Sequence, residues 1–147
     1  MTPNEIQEFC RLRLTEDETL TAARCGCSCM DDGHFVAALD KAHGLGGSGV
    51  HAVVSAPTFT PTSSAARNAV GTLRFKVAVS EVPNINRART GHRCASDLAW
   101  HIAYLLNQAV AGAGTMIVLD GEIVPSVNAA GDTVVYSVPF SCLNQLK

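Results

Sequence analysis

Thr72-Leu73-Arg74-Phe75-Lys76-Val77-Ala78-Val79 alternates apolar and polar side chains with period two. Successive residues of a strand point to opposite faces of its sheet. Leu73, Phe75, Val77 and Val79 therefore share a dry face, and Thr72, Arg74 and Lys76 a wet one. One face buried and one solvated is the pattern of an antiparallel or edge-side strand, not of a strand sandwiched in a parallel sheet. Upstream, Val50–Ser55 (VHAVVS) reads as a buried strand. The stretch between them, Ala56-Pro57-Thr58-Phe59-Thr60-Pro61-Thr62-Ser63-Ser64, reads as a loop, because two prolines withdraw ladder donors.

Downstream, the polar connection Ser80–Arg87 leads into Cys94–Ala109. There Ala95, Leu98, Ala99, Ile102, Leu105, Leu106 and Ala109 fall on one helical stripe. Gly112 and Gly114 are expected to stop this helix. Met116–Leu119, Glu122–Val127 and Thr133–Phe140 read as strands, with turns at Asp120-Gly121 and Asn128–Asp132. At the other end, Thr2-Pro3-Asn4-Glu5 is a capping box before a first helix that ends near Leu14, with Ile6, Phe9, Cys10 and Leu12 or Leu14 as its apolar side. Residues 15–30 show no clear period. Asp32 is expected to cap a second short helix over His34–His43, ended by the glycines of Gly44–Gly49.

Runs of strands around one long helix predict an α+β fold: a mixed, mainly antiparallel sheet with two or three helices packed on one face. The chain reads as a single domain over 1–147, with 1–33 its least patterned part. Regular βαβ alternation is missing, which excludes a doubly wound nucleotide fold.

The 147 residues suffice for one core, and a charged share of 16% leaves a weakly polar surface suited to protein contacts. A net charge of −2 argues against a nucleic-acid binder acting through bulk electrostatics. From Leu98 to Val118 there is no charged side chain, but His101, Asn107, Gln108, Gly112 and Gly114 interrupt the apolar run, so it reads as an amphipathic helix, a turn and a strand and not as a membrane span. The N-terminus carries acids early and no apolar core, unlike a secretory leader. The six cysteines are then expected to be reduced, several packed as small apolar residues.

Candidates for chemistry are few. Cys25, Cys27, Cys29 and His34 are residue types that bind zinc, but the C-x-C-x-C spacing lacks the paired knuckles of structural sites, so free thiols are expected and no metal. Cys94 lies near His92 at a helix start, a position that lowers a thiol's pKa, yet sequence neighbours are not a catalytic geometry. Gly44–Gly49 lacks the phosphate-binding lysine and precedes a strand, which excludes a phosphate loop. Asp97 and Asp120 have structural explanations as a helix first-turn acid and a turn residue. Trp100 and Tyr104, spaced i, i+4 just off the stripe, read as core edge, with an exposed aromatic anchor as the alternative. No catalytic residue and no cofactor is expected. The most suggestive polar group is Glu81, Asn84, Asn86, Arg87, Arg89, His92 and Arg93, between a strand and the main helix. It reads as a solvated loop or as a subunit or anion contact, since arginine forks bind carboxylates in defined geometry.

The segment Val77–Arg87, with its Glu81-Val-Pro83-Asn-Ile85-Asn86-Arg87 run, then Thr90-Gly91 and a helix ending in Leu105-Leu106, resembles phage and prophage tail terminator (tail-completion) proteins. The likeness spans residues 34 to 142 and includes the Gly49–Val54 strand and the closing Tyr136–Phe140 strand. It implies a virion structural protein, not an enzyme. The expected assembly is a hexameric homo-oligomer ring that caps the tail tube and joins tail to head. The implied partners are further copies of itself, the tail tube protein and head-tail connector proteins, with no membrane and no specific nucleic acid. The implied location is the virion tail or neck, and the host cytoplasm during assembly. The Ala56–Ala66 stretch would serve as a contact arm. A neck or head-tail connector component, or a small Cys/His metal-binding module, are the alternatives.

Overall fold

The computed structural model of the chain describes residues 1–62, 69–112 and 114–145. Helix α1 spans Pro3–Thr15 and opens as expected: Thr2 Oγ1 accepts the Glu5 N–H (3.2 Å) and the Glu5 carboxylate accepts the Thr2 N–H (2.6 Å). Ile6, Cys10 and Leu14 are buried, whereas Leu12 is exposed. The unpatterned segment holds a short helix α2 (Glu18–Ala22), capped by Asp17, and a short strand β1 (Gly26–Cys29). Both are too brief to leave a periodic signature. Helix α3 covers Phe35–His43, but Asp32 does not cap it: its carboxylate accepts the His34 N–H (3.1 Å) within the preceding turn, and His34 stands at the cap position with no side-chain bond.

The remaining elements are β2 (Val50–Val54), β3 (Thr58–Pro61), β4 (Val70–Glu81), α4 (Pro83–Asn86), α5 (Ala95–Leu106), β5 (Val110–Ala111), β6 (Thr115–Met116), β7 (Val118–Leu119), β8 (Val124–Val127) and β9 (Val134–Gln145). The main sheet has order β1-β2-β4-β9-β7, with β3 also on β4 and β8 also on β9; only β1–β2 is parallel. A separate hairpin joins β5 to β6. The fold is thus α+β with a mixed, mainly antiparallel sheet.

One expectation is corrected here. The stretch expected to be a loop contains β3, because Pro57 precedes the strand and Pro61 ends it, leaving Phe59 to pair with Leu73. Its end, 63–64, lies outside the described residues, as do residues 63–66 of the expected contact arm. The alternating strand is antiparallel to each of its neighbours, the first of the two expected settings, and lies inside the sheet: β9 pairs with all of β4 on one side, and β2 and β3 follow each other along the other. Its outer face stays wet at Arg74 and Lys76, both exposed, which is why the alternation reads as that of a half-buried strand. Gly71 is where β3 crosses closest; a Cβ there would meet the Thr60 carbonyl and stand 2.7 Å from the Phe59 ring.

Helices α1 and α5 pack on the face of the sheet that carries Ala52, Val54, Val77, Val79, Val138 and Phe140, where Phe75 and Phe140 stack at 5.6 Å. Helix α3 lies instead against the β1–β2 end on the other side, toward which His51 points by its register opposite Ser80. Helix α5 ends at Leu106, short of the expected Ala109, because Asn107 is extended and Gln108 takes a positive φ of 67°. Gly112 and Gly114 serve the β5–β6 turn, and the strand expected over Met116–Leu119 is split at Ile117, whose backbone pairs with Gln108 and Ala109. Among the described residues no helix is long and apolar enough to cross a membrane.

Candidate functional site: the joint between β4 and α5

Strand β4 delivers Glu81 to its last position with its side chain only 1% exposed. A buried carboxylate needs donors on its oxygens. Glu81 has three: the Ala95 backbone N–H at the start of α5 (3.0 Å), Asn86 Nδ2 (2.7 Å) and Arg87 Nε (3.3 Å). It therefore does the work that an N-cap side chain would do, since Cys94 at the cap position makes no capping bond. Burial works against its ionisation, and the bonds from Asn86, the Ala95 N–H and Arg87 outweigh that, holding the carboxyl below its usual range.

Asn86, fully buried, is the hub. Its Nδ2 also donates to the Arg93 carbonyl (2.8 Å), and its Oδ1 accepts from Arg89 Nη2 (2.8 Å). Arg89 further donates to the carbonyls of Ser48 and Ala23, each at 2.8 Å, tying the joint to the loops beside β1 and β2. Gly49, with φ of 78°, lies so close that a Cβ on it would be 2.5 Å from the Asn86 nitrogen.

The seven joint residues therefore divide. Glu81 and Asn86 are buried and Arg89 is half-buried, and their side chains bond within the subunit, so they brace the joint from inside. Asn84, Arg87, His92 and Arg93 are exposed. Arg87, Arg93 and His92 line a shallow cleft with Gly91, Cys94 and Asp97. His92 Nδ1 sits 3.0 Å from the Arg89 carbonyl, and Cys94 Sγ sits 3.1 Å from Ser96 Oγ, so no Cys94–His92 pair forms.

The zinc-type residues are not assembled. Cys27 and Cys29 share the face beneath α1, while His34 is exposed at the start of α3. Among the described residues no group of three or more His, Cys, Asp or Glu is gathered for a metal ion. All six cysteines are free thiols. Burial pushes Cys10 and Cys25 up to about 12 and Cys29 to about 11, and drives Cys27 up as well, so these thiols are inert at neutral pH.

Two features escape a reading of the sequence. His51 is buried and its Nε2 lies 2.8 Å from Ser28 Oγ, beside a cleft lined by Arg24, Lys41 and Gly46. A histidine inside an apolar strand was the only available signal. Trp100 and Tyr104 are 75% and 78% exposed, so of the two settings left open for them, core edge or exposed aromatic, the structure has the exposed one, which their spacing alone does not decide.

No family model and no curated protein matches the chain. A protein of solved structure that carries only a serial designation aligns with all of this chain and 96% of its own, at 16% identity and a TM-score of 0.48. A likeness that distant carries no argument about function.

Proposed function

We propose that this chain is a structural virion protein of the tail terminator kind: a subunit that closes into a ring on the finished tail tube and offers the face that joins tail to head. The observation that carries the reading is the joint. The residues on which the resemblance rests, Glu81, Pro83, Ile85, Asn86, Arg87, Thr90 and Gly91, make one braced surface feature. Three of the joint residues brace it from within, and it holds Arg87, His92 and Arg93 outward. A loop fixed by buried hydrogen bonds before any partner arrives loses little entropy on docking. The weakly charged surface suits repeated protein contacts.

Negative-stain images and light scattering of the purified chain test this. Closed rings with the mass of several subunits are expected, and Arg87→Ala is expected to weaken assembly more than folding. A chain that stays monomeric, alone and with tail tubes, would sink the reading.

A further inference from the structure

Resting on that assembly reading, we infer that an aromatic groove on α5 is the socket into which the arginines of a neighbouring copy's joint dock. The chain's one tryptophan and Tyr104 stand three-quarters exposed, one turn apart on the same helix face. They form one wall of a groove of about 390 Å³ whose other side is Leu119 and Ile123. Tyr104 is held outward: His101, bonded to Asp17 at 2.8 Å, stacks on it with ring centroids 6.4 Å apart. Glu122, next in sequence to Ile123, is exposed and in no ion pair among the described residues.

The complement is on the same molecule. Arg87 and Arg93 project from the joint at the N-terminal end of α5. A guanidinium over an indole or phenol face is a favourable cation–π pairing. Tryptophan, tyrosine and arginine are also the side chains in which binding energy concentrates. The cleft that holds Arg87 and Arg93 and the groove walled by Trp100 and Tyr104 have no lining residue in common. Knob and socket are therefore different patches of one subunit. Joining them between copies gives a head-to-tail contact, the kind that closes into rings.

Two variants that each lack one half of the contact test this. Trp100→Ala keeps the arginines and loses the socket; Arg87→Ala/Arg93→Ala keeps the socket and loses the knob. Each alone is expected to be monomeric by light scattering, with Tyr104→Ala as a second socket variant and circular dichroism as the check of folding. An equimolar mixture of the two is expected to form a heterodimer and stop there, because each pair holds one intact contact. The only tryptophan in that mixture belongs to the socket-bearing copy, so its emission should move to shorter wavelength on mixing. Rings from Trp100→Ala would overturn the socket while leaving the assembly reading standing. Two monomeric variants that do not pair would overturn the docking of knob on socket. A wild type that stops at dimers would mean a two-fold contact and overturn it too, and a wild type that never assembles would overturn the assembly reading along with it.

Discussion

Glu81 and His51 show how a single buried group sets the behaviour of its surroundings. Glu81→Ala would leave Asn86 Nδ2 with one partner in place of two, and the first N–H of α5 with none. Breaking a buried charged cluster on one side typically costs about 3 kcal/mol, and a loss of that order is expected in urea unfolding. Because the folded Glu81 carboxyl lies below its ordinary value, its contribution is present above the unfolded carboxylate pKa of about 4.3 and fades as pH falls below it. His51 acts in the same direction along the pH axis but in a higher window. Burial first, and the neighbouring His43 second, hold its pKa below the ordinary value. Its contribution is complete above about pH 6.5 and declines as pH drops below that, because the unfolded chain then binds the extra proton. His51→Gln, which can still bond Ser28 but cannot charge, should flatten the fall in stability between about pH 7 and about pH 5. An unaltered slope would place the titration elsewhere. Neither role was legible in the sequence. A glutamate and an asparagine in a polar stretch look solvated until the fold shows which backbone N–H groups they meet.

Among the elements, what reads well is what repeats. The period-two run of β4 and the stripe of α5 announced strand and helix, because many side chains report one face. They could not report neighbours: alternation says that one side of β4 is wet, and not that β9, β2 and β3 flank it. Short elements fail for the converse reason, as α2, β1 and β3 each offer too few residues for a period. The joint depends on one such unreadable feature, the packing of the loop before β2 against α4. Gly49→Ala would put a Cβ 2.5 Å from the Asn86 nitrogen at a φ that side chains avoid. Strain and overpacking together are expected to cost about 2–4 kcal/mol, visible as a lower urea midpoint with an unchanged slope. Gly46→Ala is the control. It also has a positive φ, 83°, but nothing lies within 4 Å of its added Cβ, so it should cost less.

At the scale of the whole molecule, the arginine-bearing joint and the aromatic groove are separate patches on the surface of the described residues. If copies bind through them, only the folded chain is captured, and mass action must then raise apparent stability with protein concentration. The wild type is therefore expected to show a Tm that climbs as concentration rises from about 1 μM to about 100 μM. The Arg87→Ala/Arg93→Ala variant should hold one Tm across that range, somewhat below the dilute wild-type value, because Glu81 loses the Arg87 donor but keeps Asn86 and the Ala95 N–H. Parallel lines for the two proteins, rising or flat, would separate the arginines from assembly. Arg93→Ala alone leaves the Glu81 bonds intact, so it should match the dilute wild-type Tm and lose part of the rise with concentration; an Arg93→Ala variant that climbs as the wild type does would show that Arg93 meets no neighbour.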